Sequence, residues 1–300
     1  MKPFNTASGD LIADRRADYA EMLVANGDPA AAAELMLGAL ELAPGWAVGW
    51  FRLGEMHEMA GEGEAAERAW RMALEVDPAD HSGATLKLSL LGTEPQPEAP
   101  PPAFVEALFD RYADKFDASL VGALGYRVPE LLFEAIARAA PGRYARAVDL
   151  GCGTGLMGEK LRPLVDTLSG YDISAEMLRK ARGKHVYDHL EKADLADLPF
   201  AGPPADLVTA ADVFMYLGTL DGAFSGIARM LGEGGVFAFS VERGEGAVTL
   251  RETRRYAHAE SYIRGLLEEN GMTPLSLETR TIRKDRDKDV AGLIAVARRN

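Results

Sequence analysis

Residues 147–158 read AVDLGCGTGLMG. An apolar run of strand character leads straight into glycines at 151, 153, 155 and 158. Glycine adopts backbone conformations closed to other residues, so this spacing forces a tight strand-to-helix turn and lets a ligand approach the backbone. Two patterns overlap in it: G-x-G-x-G from Gly151, and G-x-G-x-x-G from Gly153. Either one requires strand, turn and helix in that order, the opening of a parallel α/β sheet.

The chain beyond the loop keeps that rhythm. Apolar, strand-like runs fall at 145–150, 168–172, 189–193, 206–211 and 235–241, with helical stretches between them. Such alternation predicts a parallel sheet with helices on both faces. The last two runs, LSLETRTIRKD and DVAGLIAVAR, are separated only by a short charged turn. No helix fits there, so they must pair as an antiparallel hairpin at one sheet edge. Upstream, Phe104, Leu108, Tyr112 and Phe116 recur every four residues and predict a helix; a second is expected at about 128–140.

Residues 93–102, TEPQPEAPPP, contain five prolines and read as a linker. Before them lies a repeat. Gly27, Ala32, Met36, Ala39 and Pro44 stand 34 positions ahead of Gly61, Ala66, Trp70, Ala73 and Pro78. That period resembles tetratricopeptide helix-turn-helix repeats. Trp50, Leu53 and Gly54 match the W-x2-L-G opening, with His57 where Tyr is usual; Arg16, Tyr19 and Ala20 replace that opening in the first copy. Residues 80–92 would cap the stack. The expected domains are 1–92 (helical repeats), 93–102 (linker) and 103–300 (α/β), with 103–140 as a helical cap. The repeats either bind a peptide partner or only pack as support.

Charge narrows the function. Lys and Arg number 33 against 46 Asp and Glu, a net of −13, and residues 1–100 alone carry −10. This is a poor surface for a nucleic-acid backbone. One cysteine, Cys152, leaves no internal disulfide and no Cys-based metal site to expect. The N-terminal segment lacks a signal-peptide apolar core, and no run approaches the length of a membrane span, so a cytoplasmic protein with no membrane partner is expected.

Glycine counting alone leaves a dinucleotide and S-adenosylmethionine both open. Asp149, inside the strand before the loop, would repel a pyrophosphate yet suits the ammonium of a methionine tail. Asp172, ending the second strand, can accept both ribose hydroxyls, in either kind of site. Asp194 can accept an adenine amino group, with Leu195 beside the ring. The terminal hairpin is usually missing from dinucleotide domains.

With these residues in view, residues 147–155 resemble the first motif of class I S-adenosylmethionine-dependent methyltransferases. YDISAEML, KADL, AADVFMYLG and RMLGEGGVFAFSVE follow in that family's order. The resemblance covers about 103–300, and the whole chain is similar to bacterial methyltransferases with N-terminal tetratricopeptide repeats. It implies a seven-stranded Rossmann-like sheet with an antiparallel C-terminal edge hairpin, preceded by the all-α repeat domain. It further implies Asp149, Gly151, Cys152, Gly153 and Gly155 around the methionine part, Asp172 on the ribose, Ile173 and Met177 on the adenine, and Asp194 and Leu195 at its edge. Asp212 would close the floor near the sulfonium, and Tyr112 of the cap would lie over the carboxylate or the sulfonium. Each has a plainer alternative: Cys152 is small, Met177 and Tyr112 suit a core, and Asp212 suits a helix cap.

Methyl transfer needs alignment and water exclusion more than a conspicuous catalytic group. His258 is the candidate base, in a loop expected to reach the site mouth; the alternative is a histidine near a helix N-terminus with Glu260 and Ser261 as partners. Tyr216, Glu242 and Arg127 are weaker substrate-side candidates. Arg251, Arg254 and Arg255 suit either an acidic substrate or a solvated basic turn. The expected acceptor is a small molecule or a protein, the cofactor S-adenosylmethionine, and the product S-adenosylhomocysteine. An NAD(P)-dependent oxidoreductase and a non-catalytic cofactor-sensing scaffold are the competing readings.

Overall fold

The computed structural model describes residues 6–117, 125–195, 202–285 and 288–300. Part of the expected cap (118–124), the chain after Leu195 (196–201) and the turn of the last hairpin (286–287) lie outside the described residues. The chain divides into two compact units, Met1–Ala107 and Leu108–Asn300.

The first unit is helical: α1 (Leu11–Ala25), α2 (Pro29–Leu40), α3 (Ala47–Met59), α4 (Gly63–Val76) and α5 (Ala84–Leu91), followed by the start of α6 (Pro102–Tyr112). The Asp10 carboxylate starts α1 by accepting from the Ile12 and Ala13 N–H groups. Asp28 does the same for α2, which opens on Pro29. The 34-residue period recurs in three dimensions. Gly27 and Gly61 both take a left-handed φ, at +83° and +78°, between paired helices. Met36 and Ala39 are buried, as are Trp70 and Ala73. A β-carbon on Gly54 would stand 2.3 Å from the Trp70 indole nitrogen, so only glycine lets α3 meet α4 there. Trp70 Nε1–H donates to the Phe51 carbonyl at 3.2 Å.

The second unit is built on one mixed sheet. Its strands are β1 (Tyr144–Leu150), β2 (Val165–Asp172), β3 (His189–Lys192), β4 (Ala205–Ala210), β5 (Leu231–Arg243), β6 (Val248–Leu250), β7 (Tyr256–His258), β8 (Met272–Asp285) and β9 (Lys288–Arg299). The first five lie in the order β3-β2-β1-β4-β5, all parallel. β9 runs antiparallel beside β5, and β8 pairs β9 as the expected terminal hairpin. The sheet has nine strands among the described residues, against the seven expected. The two additions, β6 and β7, are three residues each, too short to show a period-two pattern in the sequence.

Helices α7 (Val128–Ala139), α8 (Leu156–Leu161), α9 (Ala175–Lys184), α10 (Asp221–Met230) and α11 (Glu260–Glu269) complete the unit. β5 is buried on both faces. Val236 and Ala238 join a core with Leu132 and Ile136 of α7. Phe237 and Phe239 instead stack at 4.4 Å and pack with Phe214 and Phe224. Helices on both faces and a buried central strand place the C-terminal ends of β1, β2, β4 and β5 at one rim, where ligands of such sheets bind.

Candidate functional site

The glycine loop joins β1 to α8, and its three odd-numbered glycines are left-handed: Gly151 at +61°, Gly153 at +53° and Gly155 at +92°. At Gly151 there is also no room, since a β-carbon would fall 2.3 Å from Val213 Cγ2. At Gly153 nothing lies nearer than Phe116 Cε1 at 3.9 Å, so conformation alone demands glycine. Gly158 has no positive φ; a β-carbon there would meet the Tyr187 hydroxyl at 2.3 Å. Cys152 donates its N–H to the Tyr171 carbonyl at 3.0 Å. Burial, with Asp172 and Asp149 nearby, pushes its thiol up well above the usual range, which disfavours the thiolate.

Two carboxylates underlie the loop. Asp149 is fully buried and accepts from the Tyr187 and Thr209 hydroxyls, each at 2.7 Å. Asp172 accepts from the Gly153 N–H and the Ser174 N–H, each at 2.8 Å. Burial raises both to about 6, each partly opposed by its hydrogen bonds. Among the described residues neither meets a cation. A buried carboxylate without one is held only by hydrogen bonds, so an incoming ammonium finds an acceptor already desolvated.

The end of α6 and the residues after it lie against this loop. Asp110 accepts from the Ser174 hydroxyl at 2.6 Å, at the start of α9. Asp117 bonds the Thr154 hydroxyl and pairs with Lys184 at 3.1 Å. Asp114 pairs with Lys180 at 2.7 Å. Phe109 meets Tyr216 edge-on at 5.0 Å. From this segment it is Phe116 that comes near the glycine loop, at Gly153. Tyr112, expected over the cofactor or in the core, is 54% exposed and so is no part of the core. α6 ends at Tyr112, so the four-residue period loses its meaning one turn before Phe116.

A second cluster stands beyond β4 and β5. Asp212, in a left-handed conformation at φ +59°, is adjacent to the Val213 that packs on Gly151. Its carboxylate accepts from Arg283 Nη1 at 3.1 and 3.3 Å, and its N–H donates to the Ser240 hydroxyl at 2.8 Å. Arg283 Nη2 bonds Glu242, whose other oxygen lies 3.5 Å from Arg251. Arg283 is buried, and its Nε–H has no partner among the described residues. A register shift between Thr281 and Arg283 delivers it: Ile282 and Arg283 are both buried, which strict alternation forbids and a bulge allows. Asp212 is thus an ion-pair partner, and caps no helix. Burial nonetheless raises its pKa, opposed chiefly by Arg283.

The remaining expected residues fall as follows. Ile173, Asp194 and Leu195 are half-buried near the ends of β2 and β3. Met177 is wholly buried on α9, in the core. Arg127 is exposed, and its N–H donates to the Ile282 carbonyl. Arg251, Arg254 and Arg255 form the turn between β6 and β7, Arg254 at φ +60°. Arg251 and Arg255 turn towards Glu242 and Asp285, so the basic turn is partly paired.

His258 requires a correction. It lies on β7 rather than in a loop, with zero exposure, and its Nε2 is 2.8 Å from the Gly218 carbonyl. A carbonyl only accepts, so Nε2 carries the proton. Burial lowers the ring's pKa. The imidazole is enclosed beside Tyr262 and is not presented to a substrate at the rim. The expected loop contains a short parallel pairing with β5, Glu242 to Ala257 and Arg243 to His258, and that pairing draws His258 inward.

Residues 148–239 match the family model described as "Methyltransferase domain". The chain is 33% identical over 120 residues to malonyl-[acyl-carrier protein] O-methyltransferase of Enterobacter lignolyticus, covering 40% of this chain and 48% of that one. It thus spans about half the length of that relative. To the protein of the same name from Methylococcus capsulatus it is 30% identical over 207 residues, covering 63% of this chain and 73% of that one. The structure of magnesium protoporphyrin IX methyltransferase from Synechocystis PCC 6803 with bound S-adenosylmethionine superposes with a TM-score of 0.52 at 20% identity, covering 66% of this chain and 97% of that one. At that identity the likeness is one of fold.

Proposed function

The chain belongs to the S-adenosylmethionine-dependent methyltransferases, and on that premise we propose that it transfers a methyl group to a carboxylate-bearing small molecule or carrier-protein thioester. The cofactor supplies an electrophilic methyl on a sulfonium. The protein's own residues bind, align and exclude water. The observation that carries the cofactor reading is the pair of buried, cation-free carboxylates, Asp149 and Asp172, under a left-handed glycine loop. Asp149 suits the ammonium end. Asp172 has acceptor capacity beyond its two backbone N–H donors and suits the ribose hydroxyls. Gly151, Cys152, Gly153 and Gly155 would line the methionine part, with Ile173, Asp194 and Leu195 towards the adenine and Asp212 towards the sulfonium.

Two observations support a carboxylate acceptor. The relatives named above are O-methyltransferases of a malonyl group. The described rim also presents no accessible histidine at position 258 to act as base. A carboxylate is already ionised at neutral pH and needs none, and Arg251 and Arg255, both half-buried, offer counter-charge. Residues 1–92 are proposed as a tetratricopeptide-like adaptor for a protein-borne acceptor or a peptide partner, residues 93–102 as the linker and 103–300 as the catalytic domain. The adaptor reading rests on the 34-residue period shared by the glycine turns and buried faces. No helix among the described residues is long and apolar enough to cross a membrane, and a cytoplasmic location is proposed.

Calorimetry tests the cofactor first: S-adenosylhomocysteine should bind and NAD(P)H should not. Transfer of labelled methyl to malonyl-acyl carrier protein, compared with a small malonyl thioester, then tests the acceptor. Preference for the protein-borne form favours the adaptor reading. No label on either, with cofactor binding intact, favours a cofactor-sensing scaffold.

A further inference from the structure

Tyr187 lies between α9 and β3, 29 positions beyond Gly158, and no motif includes it. Yet three glycines make room for it. A β-carbon on Gly158 would stand 2.3 Å from its hydroxyl, one on Gly170 2.9 Å from its Cε1, and one on Gly155 3.1 Å from its Cε2. Gly170 and Gly158 have no positive φ, so space and not backbone conformation demands glycine there: at Gly158 the Tyr187 ring alone, at Gly170 the ring together with Leu190 and Cys152. The chain on either side is fixed. α9 ends at His185 in a left-handed conformation, and Asp188 clasps β2 by accepting from the Leu168 N–H at 2.7 Å and donating its own N–H to the Leu168 carbonyl at 2.9 Å. Arg162 holds the Asp188 carboxylate at 2.7 Å. The slot aims the phenol at one target: its O–H donates to Asp149 Oδ2 at 2.7 Å, while Thr209 serves Oδ1.

We infer that Tyr187 is a positioning residue of the cofactor site, acting through Asp149: its hydroxyl, with that of Thr209, fixes the buried carboxylate in the orientation that receives the ammonium of the cofactor's amino-acid end. The inference rests on the proposed cofactor reading. Without the two hydroxyls Asp149 would be a buried carboxylate with no donor among those recorded for it, and would take up a proton more readily. The titratable groups around it are Asp172, whose charge raises it, together with Tyr187, Cys152 and Tyr126. Among these groups none is a cation.

The test compares two ligands on the full chain. S-adenosylhomocysteine carries the amino-acid end; 5′-methylthioadenosine lacks it and keeps the adenosine. Affinities of both are measured by calorimetry on either side of pH 6 for wild type, Tyr187→Phe and Thr209→Val. The expected result is that Tyr187→Phe loses about tenfold in S-adenosylhomocysteine affinity at neutral pH. Its affinity for 5′-methylthioadenosine should be unchanged, and the acid limb of S-adenosylhomocysteine binding should move to higher pH. Thr209→Val should do the same in kind. Equal weakening of both ligands would mean Tyr187 only supports the fold locally, and unchanged binding of both would mean Asp149 does not depend on it; either overturns the inference while the cofactor reading stands. A wild type that binds neither ligand overturns both.

Discussion

Each unit of the chain has a glycine pressed against an aromatic ring, and the two pairs do different things. In the helical unit, Gly54 makes room for Trp70, whose N–H donates to a backbone carbonyl. In the α/β unit, Gly158 makes room for Tyr187, whose O–H donates to a buried carboxylate. One contact completes a helix seam, and the other places a donor on an ionisable group. The contrast extends to buried charge. Among the described residues, Asp80 is the buried charged group of Met1–Ala107, and it spends itself on the Ala84 and Thr85 N–H groups at the start of α5. Leu108–Asn300 buries Asp149, Asp172, Glu242 and Arg283. Burying charge is costly, and its concentration in this unit accords with the proposed site at the sheet rim.

Removing Arg283 should break this contrast most severely. Arg283→Met leaves Asp212 and Glu242 buried without their shared cation and should cost about 3–5 kcal/mol of stability, measured by denaturant unfolding. A loss below about 1 kcal/mol would show the cluster to be well hydrated. Next comes pH. Asp172 titrates at about 6 in the folded chain, above its ordinary 3.8. The folded state therefore binds more protons than the unfolded state between those values, and this group's contribution to stability falls as pH rises through that window. Wild type should accordingly gain stability relative to Asp172→Asn as pH drops from about 6 to about 4. A flat difference would mean that Asp172 is ordinarily solvated.

Asp172→Ala should weaken S-adenosylhomocysteine binding by about 1–3 kcal/mol in calorimetry, because ribose hydroxyls lose a charged acceptor. Gly54→Ala should lower stability by about 1–2 kcal/mol through overpacking against Trp70, with cofactor affinity unchanged. A change in cofactor affinity in that variant would show that the two units are energetically coupled. The smallest effect is expected at Asp10→Ala, about 1 kcal/mol lost from the start of α1 in thermal unfolding.

Much of the α/β unit was legible because it depends on local pattern. The glycine loop, the first five strands and the terminal hairpin each follow from spacing within about a dozen residues. Asp149 and Asp172 were readable because a strand end fixes where its last residues lie. What was not readable depends on departures from period. Arg283 enters through a bulge, which a period-two reading places on the opposite face from Ile282. Phe116 comes after its helix has ended, so the four-residue stripe that included it no longer fixes its face, and the resemblance points to Tyr112. His258 was misplaced because three-residue strands leave no pattern. Tyr187 has a signal only in retrospect: Gly158 and Gly170 are glycines that no backbone conformation requires, and such glycines mark a neighbour that needs the space.

The bulge that carries Arg283 also orders events during synthesis. The carboxylates at 212 and 242 leave the ribosome well before the guanidinium at 283 that neutralises them. A chain growing from its N-terminus therefore holds Asp212 without Arg283, and Glu242 with Arg251 as its cation, until its final hairpin is made and docks on β5. A chain that stopped before the terminal hairpin would hold the glycine loop in its sequence and lack the cation that Asp212 and Glu242 share.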